Sequence, residues 1–235
     1  MTVQDSIVQG LIERLQDDNH MVRSAAARAL GKTRSAAATQ ALLTALHDKA
    51  GLVYDFVVNA LTDLNDQSAI PALVELLDDA DADVRRAAVN ILGAMRHTAA
   101  EARFIQLLSD EVLAVGHAAA EALGKIKSEA AVPALIAILE NPHTDWTMCI
   151  NASQALGHIG GTQAVPAMVQ IFSRRWDPIP GMNTTPPVRK NVVEALARIG
   201  EDAVPYLLTA LTSPDIKIRH GAVETLGLIG EEKPA

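Results

Sequence analysis

Residues with the chemistry to act are sparse in this chain, and their spacing keeps them apart. Cys149 is the one cysteine, and His158 follows it by nine positions. A nucleophile and its base must share a hydrogen bond, and helical residues nine apart do not touch. The two therefore read as a lone helix thiol and an unrelated imidazole. Asp78, Asp79, Asp81 and Asp83 supply the carboxylates of a calcium loop, but the order that sets a glycine at its centre and a glutamate at its end is missing. A solvated, helix-capping turn explains them better. No P-loop, GxSxG, HExxH or dinucleotide fingerprint occurs, and the glycines of GHIGGTQ at Gly157 fit a turn between two helices. The expectation is no catalytic residue, no metal ligand and no cofactor.

One segment has the composition of a contact surface. Residues 173 to 189, SRRWDPIPGMNTTPPVR, bring Arg174, Arg175, Trp176 and Met182 together with Pro178, Pro180, Pro186 and Pro187. Proline stiffens a loop, while Trp, Met and Arg are enriched at interface cores. In one reading Trp176 and Met182 are apolar anchors, and Arg174 and Arg175 meet an acidic or phosphorylated group. In the other, the loop folds over its own surroundings and Trp176 shields the local core. Trp146, in NPHTDW, is a further contact candidate or a plain packing residue at a helix start.

The elements that would hold these residues recur along the chain. VRSAAARALGKT at Val22 returns as VYDFVVNALTDL at Val53, VRRAAVNILGAM at Val84 and VGHAAAEALGKI at Val115, each 31 residues after the last. Further copies start at Met148, Val188 and Ile218, after steps of 33, 40 and 30. Leucine stands eight positions after every anchor: Leu30, Leu61, Leu92, Leu123, Leu156, Leu196 and Leu226. Alanine or valine stands four positions after it, so the anchor, the fourth and the eighth residue share one helical face. A second apolar helix follows the copies before the last, as in AIPALVELL, AVPALIAIL and AVPAMVQIF, with Pro71, Pro133 and Pro166 in its first turn, where a missing N–H costs nothing. Asp17, Asp48, Asp79 and Asp110 precede their anchors by five and are expected to accept N–H groups at the start of the next first helix. Arg23, Arg85, Arg189 and Arg219 follow theirs by one, which predicts an Asp-to-Arg ladder between neighbouring repeats.

The pattern VRxxAAxALGxI followed by AVPAL resembles the HEAT-like repeat family, in the short class of roughly 30 residues named after phycobilisome lyases. The resemblance implies an all-α fold, a right-handed α-solenoid of about seven helix pairs, running as one domain over residues 1–235. First helices are expected near 20–32, 51–64, 82–95, 113–126, 146–159, 188–199 and 216–229, with an inserted loop at 173–187. It also implies that first helices line a convex side and second helices a concave one. Gln40, Thr44, Gln106, Gln170 and Thr209 recur on second helices and would then form a shallow contact strip, or remain merely solvated. The class contains scaffolds, chromophore lyase subunits and metal-dependent hydroxylases, so it does not fix a function. The hydroxylases resembled here use His-Glu dipeptides, and none of the seven histidines of this chain is followed by glutamate.

Composition narrows the rest. Only 3% of the residues are aromatic, and Ala and Leu dominate a 49% hydrophobic content, which suits closely packed helices. The formal net charge is -8; residues 173 to 235 are balanced at 8 against 8, so the acidic excess lies in residues 1 to 172. That body opposes phosphate, which argues against a nucleic-acid partner. No apolar run approaches a bilayer span and no signal-peptide pattern opens the chain, so no membrane partner and a cytoplasmic location are expected. Residues 4 to 16 match a second helix without its first, and the last copy stops where AVPAL would follow. Self-association through exposed solenoid ends is expected from this. The reading reached is a non-enzymatic scaffold or adaptor that binds another protein. The alternative is a tetrapyrrole-handling protein, resembling phycobilin lyase subunits, with a bilin in the concave groove and its propionates on Arg174 or Arg175.

Overall fold

The computed structural model describes residues 2–176 and 187–231. Among them every regular element is helical, and the chain divides into two compact units, one ending at Arg103 and one beginning at Phe104. The first contains α1 (Val3–Arg14), α2 (His20–Leu30), α3 (Ala36–Ala45), α4 (Gly51–Leu64), α5 (Ile70–Glu75) and α6 (Ala82–Ala94); α7 (Glu101–Leu107) contains the boundary. In this unit α2 packs beside α4 and α4 beside α6, while α1 packs on α2 and α3. The second unit continues with α8 (Leu113–Ile126), α9 (Val132–Glu140), α10 (Trp146–Ile159), α11 (Val165–Ile171), α12 (Val188–Ile199), α13 (Val204–Ala210) and α14 (Ile216–Gly230). There α8, α10, α12 and α14 form one layer, and α9, α11 and α13 form another against it. Helix pairs stacked in two layers are the α-solenoid arrangement. Among the described residues no helix is long and apolar enough to cross a membrane.

The leucine seam makes the core. Leu30, Leu61, Leu92, Leu123, Leu156 and Leu196 are buried, as are Ala26, Val57, Ala88, Ala119, Ala152, Val192 and Ala222 four positions before their leucines. The small residues bring neighbouring first helices close, and glycine brings them closer still. A Cβ at Gly157 would lie 2.9 Å from Ala195 Cα, and one at Gly31 would lie 2.8 Å from Ala60 Cβ. Ridges this shallow let two backbones meet and raise the number of dispersion contacts between helices that carry few large side chains.

Turns close each pair in a regular way. Arg34, Asn65, Arg96 and Lys127, each 31 residues after the last, take φ of 52°, 46°, 52° and 55°. This left-handed residue ends the first helix: Ser128 N donates to Leu123 O at 3.0 Å and His97 N to Leu92 O at 3.0 Å, which satisfies carbonyls that the helix leaves open. Later in the chain Gly160 and Gly200 take the positive φ instead. Between one pair and the next, Asp17, Asp48, Asp79 and Asp110 each accept the amide N–H two residues on, at 2.8 to 3.0 Å. They brace the turn one step before the cap, and the capping side chain itself is Asn19 for α2 and Asp81 for α6.

Arginine completes that turn. Arg23 Nη1 donates to the carbonyls of Asp17 (2.8 Å) and Asp18 (3.1 Å), while its Nε and Nη2 hold Asp48 of the next repeat at 2.5 and 3.0 Å. Arg85 and Arg219 repeat the carbonyl part, on Asp79 and Ala80 and on Ser213 and Pro214. The predicted ladder is thus present at Arg23 and Asp48. Arg189 differs, since it reaches Glu224 at 3.3 Å instead.

Candidate functional site

The second helices of the unit from Phe104 onward begin alike, with Val132-Pro133, Val165-Pro166 and Val204-Pro205. Proline in the first turn leaves an N–H that has no intrahelical acceptor simply absent, and it fixes the entry angle. The valine and the residues on its side turn inward: Leu135 and Leu139 on α9, Met168 and Val169 on α11, Leu207 and Ala210 on α13 are buried. The prolines therefore point outward, and Pro133, Pro166 and Pro205 are all exposed.

Two hollows flank α11 on this outer face. One of about 590 Å³ lies between α11 and α13, walled by Pro166, Val169, Gln170, Pro205, Tyr206 and Thr209 and closed by Ser213, Pro214 and Ile218. The other, about 430 Å³, lies between α9 and α11 and takes in Leu139, Glu140, Pro142, Ala167 and Arg174. Pro166 and Gln170 belong to both and form the ridge between them. Ligand pockets run from about 300 to 1,000 Å³ and are mostly apolar with a few placed polar groups. The larger hollow has that character and no charged residue in its lining.

Of the residues expected to make contact, Gln170 and Thr209 line the larger hollow, and Gln170 and Arg174 line the smaller. Gln40 and Thr44 lie on α3 in the other unit, both exposed, with Thr44 Oγ1 donating to Gln40 O at 3.3 Å. Thr44 borders a separate polar hollow with Asp17, Asp18, His47 and Asp48. Gln106 is exposed on α7. Arg175 is exposed, Trp146 is half-buried at the first position of α10, and Met182 lies outside the described residues.

Arg174 holds the turn before α10. Its Nη2 donates to Asn141 O at 2.9 Å and Thr144 O at 3.1 Å, and Nη1 points to Leu139 O at 3.5 Å and Cys149 Sγ at 3.3 Å. The reason lies one position after the anchor Met148, where four of the other copies carry an arginine (Arg23, Arg85, Arg189 and Arg219) and this one carries Cys149. The backbone carbonyls of the turn still need donors, and Arg174 supplies them from the end of α11. The guanidinium also stacks on Trp176, 4.6 Å from the ring centroid. Burial pushes the Cys149 thiol up to about 11, against a smaller lowering by Arg174. A thiol so placed is a poor nucleophile at neutral pH.

The histidines meet carboxylates singly. His117 Nε2, buried and without a hydrogen-bond partner among the described residues, lies 3.6 Å from Asp145 Oδ1, and His220 Nε2 lies 3.5 Å from Glu224. Among the described residues no three His, Cys, Asp or Glu side chains gather as a metal would need.

Sequence reasoning read Pro133 and Pro166 as helix starts and passed over Pro205 and Tyr206. For Pro205 a signal was available, because neighbouring helical residues lie about 100° apart, so a Val-Pro pair whose valine faces inward carries its proline away from the core.

Helix pairs with buried leucine seams and an outward proline face define a helical-repeat protein of the α-solenoid class. Sequence profiles for HEAT repeats match residues 8–88, 70–148 and 182–235, and the chain belongs to the HEAT repeat family. No curated protein matches it by sequence. Among solved structures, it is similar to one of the complex of CpcE and CpcF of phycocyanin lyase from Nostoc sp. PCC7120, with 23% identity over 94% of each chain and a TM-score of 0.56. The YibA protein of E. coli is similar at 21% identity, over 95% of this chain and 82% of the other, with a TM-score of 0.59. A Kap121p variant reaches a TM-score of 0.67 at 16% identity, over 96% of this chain and 29% of the other. These likenesses are of fold.

Proposed function

We propose that the protein is a non-enzymatic scaffold whose second-helix face, from α9 to α13, holds an uncharged, largely apolar stretch of another protein. The observation that carries this reading is the hollow between α11 and α13, walled by proline, valine and tyrosine and free of charge in a chain whose residues are 20% charged. Tyr206 offers a large amphipathic ring there, and Gln170, Thr209 and Ser213 offer hydrogen bonds at its rim. Arg175 and Trp176 stand close in sequence to the smaller hollow and extend the contact. Buried Cys149, unpaired, suits a reducing cytoplasm. A second copy of the chain is the other partner proposed, at the ends of the repeat array.

The test is affinity capture from the native host with the wild type and with Gln170→Arg/Thr209→Arg. Both variant positions are exposed, so helical circular dichroism stays unchanged while the captured partner is lost. A partner held equally by both proteins would show that this face is not the site.

Tetrapyrrole handling is the competing reading, prompted by the likeness to the phycocyanin lyase complex. Propionates need cations, and the charge-free hollow provides none, while the Arg174 guanidinium is already committed to carbonyls. Titration with a bilin therefore leaves its visible spectrum unshifted. A saturable shift would favour the tetrapyrrole role over the scaffold.

A further inference from the structure

The hollow between α11 and α13 has two walls inside the repeat array, and their chemistry is one-sided. On α13, Tyr206 and Ala210 face it, as Ala167 and Ile171 of α11 face the hollow before it. At that shared position Ala167 is buried, whereas the Tyr206 ring is 40% exposed. With Pro166, Pro205 and Pro214 the ring makes flat, rigid apolar walls, and no lining residue carries a charge.

The backbone acceptors along the rim are already engaged. Gln170 O takes both the amide and the hydroxyl of Ser173, and Thr209 O takes both from Thr212, which fills the two lone pairs of each carbonyl. Thr209 Oγ1 donates to Pro205 O at 3.0 Å, and Arg219 Nη1 donates to Ser213 O and Pro214 O at 2.7 and 3.0 Å. The donors are in the opposite state. Among the described residues the Gln170 amide and the Tyr206 hydroxyl have no hydrogen-bond partner. Ser213 Oγ accepts from Asp215 N at 3.2 Å, which leaves its own O–H to give.

Spent acceptors, unspent donors and uncharged apolar walls select a ligand with carbonyls to offer and few N–H groups to satisfy. Proline is the residue of that kind, because it keeps its C=O and has no N–H. In the polyproline II form it makes no internal hydrogen bonds, so its carbonyls stay free for a partner, and its stiffness reduces the entropy lost on docking. We infer that the groove takes a proline-rich, uncharged segment of the partner protein in the polyproline II form. Its rings pack on Pro166, Pro205 and Tyr206, and its carbonyls accept from Gln170, Tyr206 and Ser213. The walls are helices of 7 residues, about 10 Å long at 1.5 Å per residue, which matches roughly one polyproline turn. This inference rests on the scaffold reading of the same groove and names what fills it.

The test is titration of the protein with two capped peptides of equal length, octaproline and an octapeptide of alternating serine and valine, followed by NMR shifts of the groove residues. Octaproline shifts them saturably, and the serine-valine peptide binds at least about tenfold more weakly. Equal binding of the two, or no binding of octaproline, overturns the inference. Tyr206→Ala removes the aromatic wall, and Gln170→Glu keeps the side chain's size but replaces its donor with a carboxylate. Both positions are exposed, so each variant keeps its helical circular dichroism and binds octaproline about tenfold more weakly or worse. Full affinity in Gln170→Glu also overturns the match of donors to carbonyls. If octaproline fails while Gln170→Arg/Thr209→Arg still loses the host partner, the groove remains the scaffold's site and its proline occupant is wrong. A host partner retained by that variant removes the groove reading itself.

Discussion

The turn before α2 and the turn before α10 pose the same problem and solve it from different places in the chain. Before α2, Arg23 from that helix bridges two turn carbonyls and reaches Asp48 of the next repeat. Before α10 the corresponding position is Cys149, and Arg174, 25 residues further on, crosses back to the carbonyls. What persists is the demand of the backbone for donors, while the side chain that meets it is free to move. Once the arginine is supplied from α11, the vacated position can become a buried thiol.

The strongest way to probe this difference is the thiol itself. A thiol near 11 holds roughly a hundredfold less thiolate at pH 8 than one near 9, so alkylation of native Cys149 is slower by about that factor. Alkylation at the rate of the unfolded chain would show that Arg174 and α10 do not cover it. Next in size is Arg174→Ala, which strips the donors from Asn141 O and Thr144 O and lowers unfolding stability by about 2 kcal/mol. Adding Cys149→Arg to that variant returns the arginine to its regular place and recovers about half of the loss by chemical denaturation. No recovery would break the equivalence of the two turns.

Acid separates the turns further. The side-chain hydrogen bond from Arg23 holds the Asp48 carboxyl below its ordinary value, with burial opposing it. A group depressed in the folded state contributes stability above its unfolded pKa and loses it as pH falls through the folded one. Stability measured from pH 7 down to below 4 therefore falls less in Asp48→Asn than in the wild type. The carbonyl clamp of Arg174 has nothing to titrate, so Arg174→Ala lowers stability by the same amount across that range. The smallest effect is expected at Trp176→Ala, which removes one cation–π contact and costs under about 1 kcal/mol. A larger loss would make Trp176 a core residue.

The fold was open to sequence reading because its determinant is periodic. Seven leucines eight positions after their anchors fix a helical face, and six of them are buried as the pattern requires. Arg174 shows where such reading stops. Its composition pointed outward, yet its partners are backbone carbonyls of residues 141 and 144, and carbonyls carry no mark in a sequence. The arginine missing at Cys149 is missing at Tyr54 and Gly116 as well, so its absence did not single out this turn. Tyr206 was hidden for a different reason: a groove between α11 and α13 depends on how far apart two short helices pack, and the residues of one helix do not encode that distance.

The left-handed residues that close the early pairs have an engineering consequence. Arg34, Arg96 and Lys127 sit where glycine meets no steric penalty, and a non-glycine residue there costs on the order of 1 kcal/mol. The positions lie in separate turns, so substitutions would add nearly independently. Glycine at these three early turns is therefore expected to raise thermostability turn by turn, without touching the leucine core or the outward proline face.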